Sequence, residues 1–459
     1  MPEVNTKTIS IERLKRFLDD LPATSPLTKQ SVVGEAWHAP ISIGSVSATI
    51  TSKIVQFGSY LYTIIDGDLW WAPAASGMSW TRKDGSATYN NLSVVTYNNT
   101  SALILCTTSG IKYILGTSIS NSNITTGNFI MEPVVIQTGT GTRIIIGSAT
   151  SKTSATNIVV YADDSVSTWT TATSTCSTYF DGNGISYTYN GTQYILLGGT
   201  RTSGFNTFNC FCASNDNGVT WYQSKIQMVS MSKFITHTIN NELRVYGTCN
   251  ISSSGLYYFV PSMLYFDSTS VGISEVHEPT GPVSNGNLNP PIAVEHEGNT
   301  RLIITGPRNN TSNFSGGIFY SDDGGDSFTL VSGTDNKRWC VPIQVTVNNV
   351  KRLITITAPY SGTDGDILYS DDDGTTWNKA FGSDKSVIWN TNDTYVTPFM
   401  YLSSIGKLLV STQKGILYSD NNETVPDTSD KSDDGKFVTR DFLKDTISDL
   451  LTYLDIRLS

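Results

Sequence analysis

Side chains able to do acid, base or metal chemistry gather at few places in this 459-residue sequence. Glu275, Glu278, Glu295 and Glu297 lie close together with His277 and His296 interleaved, and a suitably spaced carboxylate pair is what cleavage of a glycoside requires. Each is flanked by turn formers, Pro279-Thr-Gly-Pro282 or Asn289-Pro-Pro291, which favours an exposed connection over a catalytic or metal site. Six cysteines (Cys106, Cys176, Cys210, Cys212, Cys249 and Cys340) sit mostly in strand-like runs. Cys210 and Cys212 form the one close pair, and without a second pair at metal-binding spacing they are expected to be buried free thiols. Asp371-Asp-Asp373 has the composition of a turn. The sequence offers no Gly-rich phosphate loop, Ser-His-Asp pattern or CxxC pair, so no catalytic residue, resident metal or cofactor is assigned.

The acids that do recur belong to a strand-turn-strand unit. In Ile367-Leu-Tyr-Ser-Asp-Asp-Asp-Gly-Thr-Thr-Trp377, Ser370 and Asp372 offer oxygens to the amides of a tight turn, Gly374 can take a positive φ, and Trp377 starts the returning strand. The same spacing holds at Ser214, Asp216, Gly218 and Trp221, and at Ser321, Asp323, Gly325 and Phe328. Asp164, Thr168 and Trp169 keep three positions with Val166 in place of the glycine, Gly77, Ser79 and Trp80 keep the second half, and Tyr418-Ser419-Asp420 keeps the opening.

This spacing resembles the Asp-box repeat of sialidase-like β-propellers. The resemblance implies an all-β fold in which each box is a structural corner between the third and fourth strands of a blade, on the rim away from the usual active site. Apolar second strands starting near Tyr60, Ala102, Arg143, Tyr194, Leu243, Arg301, Arg352 and Lys407 predict eight four-stranded blades, with seven as the alternative. Two units, around Ile114–Ile130 and Leu264–Val276, have lost the box. The last unit lacks a Trp-led return, and Gly34–Pro40, with Trp37, is expected to supply it and close the ring.

Sialidases, which the resemblance brings into view, use an arginine triad, a Tyr nucleophile with its Glu, and an Asp acid/base. Their early arginine motif is missing here, since no arginine stands between Arg16 and Arg82. Arg143, Arg301 and Arg352 start second strands and are expected on blade surfaces. Loops between second and third strands would emerge on the rim opposite the boxes. Arg201, Phe205, Phe208, Arg308, Phe314, Tyr360 and Asp364 are the candidate ligand-binding residues there, suited to sugar hydroxyls and faces or to a protein surface.

At the chain ends Ile11, Leu14, Leu18 and Leu21, and again Leu443, Ile447, Leu450 and Leu454, recur at alternating steps of three and four behind hydroxyl N-caps. These predict short helices that dock on the ring or on each other, or self-associate between chains. They resemble end segments of bacteriophage tail and tail-fibre proteins. The expected organisation is a helical docking segment over residues 1–30, the propeller over 31–422, an acidic linker over 423–436 and a second helical segment over 437–459. Asp430, Ser432 and Asp434 have the opening spacing of a calcium loop, although a solvated hinge explains them more simply. A net charge of −10 disfavours nucleic acid as a partner, and no run of apolar residues is long enough to span a membrane. With no signal-peptide pattern at Met1–Asp20, synthesis in a host cytoplasm is expected. The expected role is a non-enzymatic virion component, such as a phage tail protein that contacts other tail proteins and a cell-surface glycan or protein. The alternative is a glycoside hydrolase or sialidase-like enzyme.

Overall fold

Runs of β-branched and aromatic residues, closed by Asn, Asp or Gly, fold as antiparallel meanders. The turns Asp66-Gly67, Asn98-Asn99, Asn190-Gly191, Asn240-Asn241 and Glu297-Gly298 have positive φ at both residues. That backbone twist matches the twist of paired strands, and these residue types tolerate it best. The computed structural model describes residues 28–30, 32–38, 41, 53–76, 79–150, 157–174, 176–203, 206–225, 231, 233–248, 255–280, 288–306, 316–335, 337, 339–347, 349–356, 366–382, 399–412, 415–421 and 424–426. The predicted terminal helices and the calcium-like loop lie outside these residues.

Residues 1–36 with 420–459 form one compact unit and residues 37–419 another. In the larger unit, sheets follow one another along the chain, each built in strand order. Val55–Phe57, Tyr60–Ile65, Asp68–Pro73 and Thr81–Asp84 make the first, and Tyr89–Tyr97, Thr100–Thr107, Gly110–Leu115 and Ser118–Asn121 the next. Val134–Thr138, Gly141–Gly147, Val159–Asp163 and Thr170–Thr171 follow, then Gly184–Tyr189, Thr192–Ser203, Asn206–Ser214 and Thr220–Ser224. Lys233–Ile239, Glu242–Thr248 and Leu256–Phe259 form a three-stranded sheet. Two four-stranded sheets come next, Ile292–His296 to Thr329–Leu330 and Ile343–Val347 to Asn378–Lys379, before a three-stranded one over Phe399–Leu402, Lys407–Thr412 and Gly415–Ser419. Among the described residues there is no α-helix, only 3₁₀ turns at Pro261–Met263 and Ser403–Ile405.

The cores lie between successive sheets, fed by the second strands. Ile144, Ile145 and Ile146 are buried with Val95, Ile104, Ile195 and Trp221 from the sheets on either side. Ile54, Leu61 and Ile65 of the first sheet pack with Leu402, Leu409 and Ile416 of the last, so the succession closes on itself as a β-propeller. His38 and Ile41 line the final strand. His38 N donates to Tyr418 O at 2.9 Å, Ile41 N to Ile416 O at 2.8 Å, and the His38 ring stacks on Tyr418 at 4.1 Å. Trp37 meets Phe399 at 5.9 Å.

Three expectations need correction. First, the 423–436 stretch does not start as a linker: in the smaller unit Thr424–Pro426 pairs antiparallel with Thr28–Gln30, the β-branched Thr424 and Val425 favouring extended chain. Second, the box-less region around Leu264 forms a hairpin of Leu264–Phe266 with Ser270–Ile273. Its second strand adds parallel to Thr220–Ser224 of the preceding sheet and covers that outer edge. Third, Cys176 and Cys212 are not free thiols but form a disulfide, 36 residues apart. The stretch leaving Thr170–Thr171 crosses onto the next sheet, pairing Thr173 with Thr220, and this carries Cys176 over Cys212 at a Cα–Cα distance of 6.3 Å. Cys106, Cys210 and Cys340 are buried thiols, and Cys249 lies outside the described residues.

Candidate functional site

Three corners share one set of hydrogen bonds. Gly218 N, Gly325 N and Gly374 N donate to Ser214, Ser321 and Ser370 Oγ at 2.9, 2.8 and 2.9 Å. Each serine hydroxyl in turn donates to the Asp two residues on, Asp216, Asp323 or Asp372, at 2.8, 2.7 and 2.7 Å. Those carboxylates accept the amides of Thr220, Ser327 and Thr376, each at 2.9 Å. Trp221 and Trp377 close two of the corners by donating Nε1–H to the glycine carbonyl at 2.9 and 3.1 Å. Burial pushes the three carboxyls up, but the hydrogen bonds they accept outweigh it and hold all three below the usual carboxylate range. A general acid needs the opposite shift.

Each corner is also grasped by the sheet before it. The residue ahead of the glycine, Asn217, Gly324 or Asp373, has positive φ, and a second-strand arginine of the preceding sheet reaches its carbonyl. Arg143 Nη1 donates to Asn217 O at 2.9 Å, Arg244 Nη1 to Gly324 O at 2.8 Å, and Arg301 Nη1 to Asp373 O at 3.4 Å and Thr375 Oγ1 at 2.6 Å. The guanidiniums lie over Tyr161, Tyr258 and Tyr320 at 4.1, 4.5 and 4.5 Å. Arg143 and Arg301 form two-point pairs with Asp163 and Asp322, as Arg352 does with Asp371. The residue two places after the arginine, Ile145, Tyr246 or Ile303, packs under the corner glycine, where an added Cβ would come within 2.7, 3.0 or 2.5 Å. The exits of outer strands reinforce the grip: Thr173 N donates to Val219 O at 3.1 Å and Thr280 N to Asp326 O at 2.9 Å.

Of the arginines expected merely on blade surfaces, Arg143 and Arg301 therefore span junctions between sheets, as Arg244 does. The sequence carries a signal only for the pairs within a sheet, where Arg143, Arg301 and Arg352 precede their acidic partners by 19 to 21 residues, one hairpin length.

The carboxylate and histidine group of the sequence is dispersed by the fold. His277 stacks on Tyr258 at 4.7 Å, His296 Nδ1 lies 3.3 Å from Asp373 Oδ2, and Glu295 pairs with Lys351 at 2.6 Å. That lysine holds the Glu295 carboxyl below its usual range. Among the described residues, no group of three or more His, Cys, Asp or Glu could hold a metal ion, and no helix is long and apolar enough to cross a membrane. Of the rim candidates, Arg201 and Phe208 stand directly opposite each other near the end of the long hairpin Thr192–Ser203 with Asn206–Ser214. Phe205, Arg308, Phe314, Tyr360 and Asp364 lie outside the described residues, as do Ile11, Leu14, Leu18, Leu21, Leu443, Ile447, Leu450 and Leu454.

No family model matches the chain, and no curated protein matches it in sequence. Solved structures do. The Dos1 propeller is 10% identical with a TM-score of 0.50, covering 84% of this chain and 96% of that one. A computationally designed protein, Ika8, is 8% identical with a TM-score of 0.44, covering 83% and 99%. YCF48 from Cyanidioschyzon merolae is 10% identical with a TM-score of 0.41, covering 75% and 98%. At such identities it is the fold that is shared, a β-propeller.

Proposed function

We propose that this chain is a non-enzymatic binding and structural propeller of the Asp-box kind, acting in a virion as a phage tail or tail-fibre component. The observation that carries the non-enzymatic part is the use made of its acids and arginines: Asp216, Asp323 and Asp372 hold backbone amides, while Arg143, Arg244 and Arg301 tie one sheet to the next corner. What is left for recognition is the opposite rim, where Arg201 and Phe208 share one face of a hairpin and pair a donor fork with an aromatic surface. The assignment to a virion rests on the terminal heptad-like segments and their likeness to phage tail ends. We propose eight blades, the last completed by the stretch around Trp37, with seven as the alternative; an experimental density map of the ring counts them.

Purified protein tests the role. Saturable binding to a cell surface or glycan array, weakened at least tenfold by Arg201→Ala together with Phe208→Ala and without turnover of a glycoside panel, is the expected result. Turnover of any glycoside overturns the non-enzymatic assignment in favour of a glycoside hydrolase. Mass measurement of chains lacking residues 1–30 or 436–459 tests the docking segments, which lose their proposed role if assembly is unchanged.

A further inference from the structure

A cavity of about 360 Å³ opens along the first strands of the first three sheets, with Met400 of the last sheet completing its wall. That volume is at the lower end of the roughly 300–1,000 Å³ typical of small-molecule sites. Two kinds of group line it. Val94, Val135 and Met400 offer aliphatic surface, and Val94 keeps 40% of its area exposed although its chain neighbour Val95 is buried. Against them stand Lys53, Ser93 and Glu132. Lys53 Nζ lies 2.6 Å from Glu132 Oε1 and 3.4 Å from Ser93 Oγ.

The placement of one cation and one anion narrows the ligand. A simple anion drawn to Lys53 meets Glu132, and a simple cation drawn to Glu132 meets Lys53. A sugar ring finds no aromatic platform in the lining, and a nucleotide finds no second cation. We propose that the cavity binds a small zwitterion with an aliphatic body, the class of a free aliphatic α-amino acid. Its carboxylate is taken by Lys53, its ammonium by Glu132, and its side chain lies against Val94, Val135 and Met400. The pair between the two protein groups is reached from the Glu132 side, whose side chain is 45% exposed against 19% for Lys53. A bound zwitterion replaces that one pair by two charge-assisted hydrogen bonds. The site is separate from the rim, so its test and that of the rim succeed or fail independently.

Titration calorimetry on the full chain decides it. The probes are leucine, leucinamide without the carboxylate, 4-methylpentanoate without the ammonium, and glucose. Leucine is expected to bind saturably, with both analogues at least tenfold weaker and glucose not bound. Glu132→Gln should weaken leucine at least tenfold, and Val94→Trp, which fills the cavity from an exposed position, should abolish binding. The proposal is overturned if leucine does not saturate, if either analogue or glucose binds as tightly, or if leucine binding survives Val94→Trp in a protein of unchanged melting temperature. The analogue series uses the native chain, so it decides even if a variant fails to fold.

Discussion

The intact corner at 370–377 and the worn one at 164–169 make the same reversal with different hydrogen bonds. In the first, Ser370 and Asp372 catch the amides, Gly374 has φ +84, and Trp377 caps the glycine carbonyl. In the second, Asp164 itself has positive φ and turns its carboxylate back to Thr142 N at 2.8 Å. Ser165 Oγ takes over the amides of Ser167 and Thr168 at 3.1 and 3.4 Å. What both keep is the tryptophan: Trp169 Nε1 donates to Val166 O at 2.9 Å and the ring is buried. The grip from the preceding sheet changes in parallel. The register that sets Tyr161 opposite Ile145 sets Tyr113 opposite Ile104, and Ala102 stands two places before, where four other sheets have Arg143, Arg244, Arg301 or Arg352. Asn123 holds the worn corner instead, exchanging bonds of 2.7 and 2.9 Å with Trp169 N and O. A corner needs a tryptophan or phenylalanine packed at its return, oxygens that face its amides, and a polar hand from the sheet before it; the box is one way to supply them.

The largest effect is expected at the glycine of the intact corner, set against a glycine in an open turn of the second sheet. Gly374→Ala adds a Cβ 2.5 Å from Ile303 at a φ that L-residues resist, which should cost about 3 kcal/mol. Gly116→Ala, at φ +74 but with nothing within 4 Å, should cost only about 1 kcal/mol. Denaturant unfolding of both variants measures the difference. Equal losses would show that close packing against the preceding sheet contributes nothing.

Next comes the arginine. Arg301, with its side chain 5% exposed, links Asp322, the Tyr320 ring and the next corner, and Arg301→Met should destabilise by about 2 kcal/mol. Arg82, 53% exposed and paired only with Asp68 among the described partners, should lose no more than about 0.5 kcal/mol as Arg82→Met. If the two losses match, the arginine junctions are ordinary surface pairs.

The acid of the intact corner ranks third. Asp372→Ala leaves the Thr376 amide without its acceptor, for about 1 kcal/mol. The same carboxylate makes stability depend on pH in a fixed direction. Its folded pKa, like those of Asp216 and Asp323, lies below the unfolded value, so its contribution is complete above the unfolded pKa and is lost as pH falls through the folded one. Melting temperature should therefore hold from neutral pH down to about 5 and fall below about 4, and the fall should be shallower in Asp372→Ala. An identical acid profile in that variant would remove the corner carboxylate from the account.

How much of this could be read from the sequence follows from the range of each interaction. The intact corners were legible because Ser, Asp, Gly and Trp act on amides within eight residues, and the second strands because they are buried on both faces and so are apolar throughout. The stretch around Trp37 reads as a supply for the strand that the last unit lacks, and His38 and Ile41 do bond to the final strand. The arginine junctions were not legible, because their partners lie 72 to 80 residues away, and the Cys176–Cys212 bond depends on a crossing between sheets that no local pattern announces. Arg201 and Phe208 read as loop residues, whereas they are cross-strand partners in the extended hairpin, because the polar run 199–208 continues both strands.

The smallest expected change is also the sharpest test of the comparison. Asp164→Gly in the worn corner removes the bond to Thr142 N but relieves a positive φ, two opposing terms of about 1 kcal/mol each, so stability should move by no more than about 0.5 kcal/mol. Val166→Gly, which restores the glycine of the box, should instead destabilise, because it deletes a side chain buried in the core and Val166 has no positive φ to relieve. A gain in stability from Val166→Gly would mean that the worn corner is a strained copy of the intact one, whereas the loss expected here makes it an alternative solution built around the same tryptophan.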